Sequence, residues 1–290
     1  MSDDLLAQIV SWAEQRPDIR ALVLTGSRAR HDGTADELSD YDIELFTTDQ
    51  ARYEADSAWL AEIREVWVCL PLRGEGEHDE YLMRLVVFAG GAKVDFGIAP
   101  VALLADTVAG HQLNDLYERG YEVLLDKDGL GAQLVDASHE PPLRLPPAEE
   151  EFAAAVEEFW FEAYHIPKLL ERNDLWVVKL RDWTMKQRLL QMLEWNAIAR
   201  NGDQHDVWHI GTRMAEWTAP EVWERVQEVF ARFDAADSAR ALEATTALFH
   251  DLATETAAAF GFAYPVELDE AISKWVTVSS RSTRKRSSSG

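Results

Sequence analysis

Cysteine is almost missing from this chain. Cys69 is the only one in 290 residues, so no intrachain disulfide can form and no zinc cluster can be built on thiolates. It lies in the apolar run Val66-Trp67-Val68-Cys69-Leu70, where a buried strand residue is expected rather than a nucleophile. Long hydrophobic runs are missing too, and none reaches the length that spans a bilayer. The start, Met1-Ser2-Asp3-Asp4, lacks the basic residues and apolar stretch of a signal peptide. These absences predict a soluble cytoplasmic protein with no membrane partner. Positive charge is scarce: Lys and Arg number 28 against 52 Asp and Glu, a formal charge of −24. That balance excludes a general nucleic-acid-coating function, which needs cations against phosphates. It serves solubility, and it also concentrates cationic ligands. What the chain does have is apolar mass. Hydrophobic residues make up 47%, enough for a sizeable core and too many for wholesale disorder. The length suits two domains or one large one.

The first half alternates short apolar runs with helical stretches. Leu5, Leu6, Ile9, Val10 and Ala13 keep helical spacing and predict a helix over 3–15. Residues 20–25 form a strand that stops at Gly26, and 41–47 form a second. Residues 51–63 read as helix. Strands are expected over 64–70, 81–88 and 92–98, with a hairpin turn at Gly90-Gly91. Pro100 opens another helix, and 121–125 is a short strand. Four of the ten prolines then fall between His139 and Pro147. Proline lacks a backbone donor and constrains its neighbours, which marks 139–147 as a linker. Beyond it nearly everything reads as helix, including 221–233 and 238–260. The end, 276–290, is Ser-rich and basic and predicts a disordered tail.

The chemistry concentrates in two stretches. Gly26-Ser27-Arg28-Ala29-Arg30 follows a strand, and Ser39-Asp40-Tyr41-Asp42-Ile43 opens the next. Alternate residues of a strand share a face, so Asp40 and Asp42 point the same way. Two bare carboxylates that close repel each other unless a cation lies between them, and their oxygens suit hard divalent ions. Gly26 allows close backbone approach, and Ser27 offers a hydroxyl beside backbone N–H groups, the equipment that cradles a phosphate. Arg28 and Arg30 add positive charge for phosphates. Further on, Asp95 stands alone in the apolar alternation Lys93-Val94-Asp95-Phe96-Gly97-Ile98, where an acid is costly without a partner. If that strand lies beside 41–47, Asp95 completes a three-carboxylate cluster able to bind two Mg²⁺ ions and to activate a hydroxyl. The implied reaction is nucleotidyl transfer with pyrophosphate leaving. Neither Asp-x-Asp nor Gly-Ser is specific alone; the ordered combination is.

These two stretches resemble the signature of the aminoglycoside (streptomycin) 6-adenylyltransferases, within the nucleotidyltransferase superfamily. The likeness continues in Leu170-Glu171-Arg172-Asn173-Asp174-Leu175-Trp176, in Leu189 to Trp195, in Gly211-Thr212-Arg213-Met214 and in Ala259 to Pro265, about 1–266 in all. The resemblance implies an α+β fold: an N-terminal nucleotidyltransferase domain (1–138) with a mixed β-sheet and flanking helices, then a helical substrate-binding domain (148–275). It implies ATP and a cationic aminoglycoside as partners, an antibiotic-resistance type of activity, and a monomer or weak homodimer. It places Gly26, Ser27 and Arg28 on the triphosphate, Asp40 and Asp42 on Mg²⁺, and Asp95 as a third metal ligand or the general base. On the helical side, Lys179 and Arg213 are phosphate candidates, and Asp174, Asp182, Trp183 and Glu194 are acceptor candidates. Thr212 stands where the family commonly has a basic residue, and Asn173-Asp174 where it has an acid. His78-Asp79-Glu80 is a further candidate base. His205, Asp206 and His209 lack enough ligands for a metal and read as a loop. The alternatives are another small acceptor such as a lincosamide, a protein acceptor, or a non-catalytic antitoxin-like nucleotide-binding module.

Overall fold

The computed structural model describes residues 2–74 and 81–287, so the candidate base at His78-Asp79-Glu80 lies outside the described residues. The chain divides into two compact units, Met1–Pro142 and Leu143–Gly290. The division falls within the proline-rich stretch.

The first unit is built on a mixed six-stranded sheet. Its elements are α1 (Ser2–Glu14), β1 (Ile19–Thr25), α2 (Gly26–Arg30), β2 (Tyr41–Thr47), α3 (Gln50–Ala55), β3 (Val66–Arg73), β4 (Leu82–Phe88), β5 (Lys93–Pro100), α4 (Val101–Gly110), α5 (Asp115–Glu118) and β6 (Glu122–Asp126). The strand order is β3-β4-β5-β2-β1-β6. Only β2 and β5 are parallel; the other pairs are antiparallel. The alternation along each strand splits the apolar residues between two cores. Tyr41, Ile43 and Leu45 face one core with Leu5, Ile9 and Trp12 of α1. There Trp12 stacks on Trp59 at 4.9 Å, and Trp59 meets Phe96 edge-on. Phe46 and Ala99 face the other core, with Leu104 of α4 and Tyr117 of α5. Gly90 and Gly91, both at positive φ, lie in the short connection between β4 and β5, where the Gly91 N–H donates to Phe88 O.

Two sequence expectations change here. The helix expected over 51–63 breaks at Asp56, whose carboxylate accepts from the Ala58 N–H; a 3₁₀ turn covers Ala58–Glu62 instead. Cys69 is half-buried rather than buried. Its strand, β3, is the sheet edge, and Trp67, Val68, Leu70 and Leu72 on it are exposed.

The second unit is helical: α6 (Glu149–Glu171), α7 (Leu175–Asn201), α8 (Met214–Trp217), α9 (Pro220–Val226), α10 (Ala235–Phe260) and α11 (Val266–Ser287). Three glutamates in the first turn of α6 suit the positive end of its dipole. The core is aromatic: Phe159 of α6 stacks on Phe249 of α10 at 3.5 Å, and Trp160 packs edge-on against both. The helix expected over 221–233 ends at Val226. The chain beyond turns back because its carbonyls are taken by side chains: Arg240 binds those of Glu228 and Phe230, and Lys179 binds that of Ala231. The disordered tail expected from 276 is also revised. α11 runs through it to Ser287, and Val276 is buried in the core; Arg and Lys are good helix formers. Phe249→Ala should cost this unit about 3–5 kcal/mol, since truncating a fully buried aromatic leaves a cavity. Urea unfolding followed by Trp fluorescence measures it, and a cost under about 1 kcal/mol would mean the stack does not hold the bundle.

Candidate functional site

The register of β2 against β5 gathers the first unit's acids. Asp42 pairs directly with Asp95, Tyr41 with Val94 and Glu44 with Gly97. Because side chains alternate, Asp40, Asp42 and Glu44 share one face of β2, and Lys93 and Asp95 share the same face of β5. On the far side of β2, Thr25 pairs with Asp42, so the end of β1 delivers Gly26 against the same carboxylate. Gly26 has φ of +69°, and a Cβ there would lie 1.9 Å from Asp42 Oδ2. No other residue fits, for conformational and steric reasons together. Ser27 follows, half-buried on α2.

The electrostatics show how strained this grouping of acids is. Burial, followed by the charges of Asp95 and Asp40, pushes Asp42 up to about 6, against the pull of Lys93 and Arg30. Lys93 was not singled out in the sequence. Its ammonium donates to Asp40 Oδ2 at 2.6 Å and to Asp95 Oδ2 at 2.8 Å. Burial works against that ammonium, but the bonds to Asp40 and Asp95 outweigh it and hold its pKa above the ordinary value. Among the described residues no three acidic, His or Cys side chains stand gathered as a ready cage for a metal ion; the ammonium lies between two of the acids. The donors still fit a hard divalent cation. They are carboxylate oxygens on adjacent strands, and Asp95 Oδ1 is buried without a hydrogen-bond partner, an acceptor that lacks a ligand.

Other expected site residues are placed differently. Arg28 is occupied with the chain itself. It donates to the carbonyls of Ser39 at 2.6 Å, Asp40 at 3.1 Å and Asp36 at 3.3 Å, and its guanidinium lies 4.1 Å from the Tyr41 ring centre. It therefore pins the loop that leads into the Asp40–Asp42 strand rather than reaching for a phosphate. In the second unit, Lys179 donates to Ala231 O and Ser238 Oγ. Arg213, at φ of +54°, pairs with Glu216 and lies over Trp208. Asp182 is taken by the buried Lys186 at 2.6 Å. Glu194 is half-buried, and burial raises its pKa against the charge of Arg144. Asp174 and Trp183 are exposed, the first at the start of α7 and the second on its surface. His205 and Asp206 lie in irregular chain bonded to Trp217 O and the Trp208 N–H.

Sequence reading also passed over Glu44. It is buried, accepts from the Tyr117 hydroxyl at 2.5 Å and from Tyr81, and burial pushes it up to about 7. The signal for both missed residues was available: Lys93 and Glu44 stand two positions from Asp95 and Asp42, hence on the same face.

The shift of Asp42 fixes a pH-dependent stability. A carboxyl raised from 3.8 to about 6 in the folded state burdens folding once ionised, so its contribution is favourable at low pH and is lost as pH rises through 6. In metal-free protein, Asp42→Asn should therefore stabilise by on the order of 2 kcal/mol at pH 7.5. The gain should vanish near pH 4. Urea titrations in a chelator at both pH values check this, and an equal gain at both would disprove the origin assigned to it.

Comparison with known proteins finds relatives over most of the chain. The sequence profile of a family described as streptomycin adenylyltransferase matches residues 1–278. An aminoglycoside 6-adenylyltransferase of Bacillus subtilis (strain 168) is 24% identical over 262 residues, covering 89% of this chain and 90% of its own. One from Campylobacter jejuni is 24% identical over 284 residues, covering 92% of each. The crystal structure of an aminoglycoside 6-adenyltransferase from Bacillus subtilis aligns over 96% of each chain at 19% identity, with a TM-score of 0.45.

Proposed function

The chain belongs to the streptomycin adenylyltransferase family and is a nucleotidyltransferase, and from that premise we propose that it transfers AMP from ATP to a hydroxyl of an aminoglycoside, with streptomycin the acceptor. The observation that carries this reading is the register pair Asp42–Asp95 beside Gly26, a carboxylate pair abutting a backbone turn with no room for a side chain.

In this reading the N–H groups and hydroxyl at Gly26-Ser27 receive the triphosphate. Asp40 and Asp42, with Asp95, would hold Mg²⁺, which supplies neutralisation of phosphate charge when bound. Asp95 has a second task. Its buried Oδ1 has no partner, and it accepts the proton of the acceptor hydroxyl. The hydroxyl oxygen bonds to the α-phosphorus, the bond from that phosphorus to the β-bridging oxygen breaks, and pyrophosphate leaves. Arg28 acts by holding the loop 36–40 so that Asp40 and Asp42 keep their places. The helical unit, residues 148–275, supplies acceptor contacts. Asp174 and Trp183 are the freest of the expected set, because Asp182 is already paired with Lys186. We place the reaction in the cytoplasm, on a monomer or weak homodimer.

The test is purified protein with ATP, Mg²⁺ and a panel of aminoglycosides, a lincosamide included, followed by mass spectrometry. One added adenylyl group on streptomycin is expected. Transfer to the lincosamide alone would overturn the acceptor class, and ATP binding without turnover on any acceptor would favour a non-catalytic module. Asp42→Asn should lower kcat by about a thousandfold or more while the protein stays folded. Arg28→Met should lower kcat less, by about ten- to a hundredfold, with the KM for ATP little changed, because it removes a positioning contact rather than a phosphate contact. A rise confined to the KM for ATP would return Arg28 to the phosphates.

A further inference from the structure

A cavity of about 280 Å³ adjoins the acid cluster; its lining includes Thr25, Asp42, Asp95, Glu44, Tyr81 and Met83, along with Gly97 and Leu116. Most of that lining is apolar. Glu44 is the one carboxylate among its buried members, at 7% exposure. Its two hydrogen bonds come from neutral phenols, those of Tyr117 and Tyr81. No Lys, Arg or His pairs with it among the described residues. Asp40, Asp95, Asp182 and Glu194 each have a cation beside them, and Asp42 has the proposed metal. A buried carboxylate facing a cavity with no positive partner is costly on its own and is explained by a cationic occupant.

Spacing narrows the occupant. Glu44 stands two residues from Asp42 on the same strand face, about 7 Å along β2. Asp95, opposite Asp42, takes the proton of the reacting hydroxyl in the function proposed above. A ligand that reaches both places therefore carries a hydroxyl and a cationic nitrogen about one six-membered ring apart. The wall fits a ring. Tyr81, Met83 and Leu116 offer apolar and aromatic surface to C–H faces, and Gly97 leaves the space that a side chain would close, since a Cβ there would lie 3.1 Å from the Tyr81 ring.

We infer that this cavity is an acceptor subsite, and that Glu44 selects an acceptor whose reacting ring itself bears an ammonium or guanidinium group. The inference rests on the aminoglycoside reading, and it makes Glu44 a specificity-determining residue rather than a part of the transfer step. Tyr81 and Tyr117 hold the carboxylate in place, and the ligand's nitrogen supplies the missing positive charge.

The experiment measures binding first, in the presence of an unreactive ATP analogue and Mg²⁺. The probes are 2-deoxystreptamine, a ring with hydroxyls and two ammonium groups, and myo-inositol, its uncharged counterpart. Wild type should bind the diamine, seen by saturation-transfer NMR and calorimetry, and bind the inositol at least about tenfold more weakly. Glu44→Gln, which keeps the shape and removes the charge, should weaken the diamine about tenfold and leave the inositol unchanged. In turnover, the same variant should raise the KM for the aminoglycoside by a similar factor, with the KM for ATP and kcat close to wild type. Should Glu44→Gln fail to fold, Gly97→Ala carries the test. It crowds Tyr81 without altering charge, and it should weaken diamine and inositol alike. Equal affinity of wild type and a folded Glu44→Gln for the diamine overturns the inference. So does no diamine binding by wild type, or unchanged affinity in Gly97→Ala. Wild-type turnover on the aminoglycoside panel is read separately: its absence refutes the proposed acceptor class, whereas turnover that is indifferent to Glu44 refutes only the subsite.

Discussion

The parallel pairing of β2 with β5 is the constraint on which the first unit depends. It is the single parallel contact in an otherwise antiparallel sheet, and its register sets Asp42 directly against Asp95. One residue of slip would turn the whole acidic row into the apolar core beneath α1. The neighbours of this pair answer the charge it concentrates. Lys93 bridges Asp40 and Asp95, and Arg28 ties down the incoming loop through its carbonyls. Gly26 leaves the Asp42 carboxylate the volume it occupies. The acid cluster is thus held by cations and backbone, the preorganisation that the function proposed above requires.

Much of this was legible in the sequence because it follows from period-two alternation. The strand ending at Gly26, the carboxylates on one face of 41–47 and the lone acid in 92–98 are local patterns, and the structure adds only the register that joins them. What could not be read were relations between distant residues. Arg28 looked like a phosphate hand because nothing local shows that its Nε and Nη2 bind the carbonyls of residues 36, 39 and 40. Lys179 looked free because its partners, Ala231 and Ser238, lie more than fifty positions away. The face that Glu44 occupies was readable from its spacing, but its burial was not. An acid in a strand reads as a solvent-facing residue until packing reveals Tyr81 and Tyr117 above it.

The misjudged elements have one cause in common, which is side chains competing with the backbone ladder. Asp56 captures an N–H and interrupts the helix expected over 51–63. Arg240 and Lys179 capture carbonyls and interrupt the one expected over 221–233. Propensity averages over a segment, whereas these contacts come from one residue inside it or from another helix altogether. The tail was misread in the opposite sense. Its serines suggested disorder, but Val276 anchors α11 in the core and the basic residues that follow do not oppose a helix.

The edge strand β3 gives the chain's acidity a meaning beyond the site. Trp67, Val68, Leu70 and Leu72 stand exposed on a strand whose outer side meets no other strand among the described residues, the arrangement that invites two copies to zip together. Each copy also carries a charge of −24, so any such encounter brings two strongly like-charged bodies together. Repulsion of that kind is kinetic protection, and it has a finite reach of about 10 Å at 0.1 M salt. Contact between two copies at this edge is therefore tied to ionic strength, and low salt opposes it most.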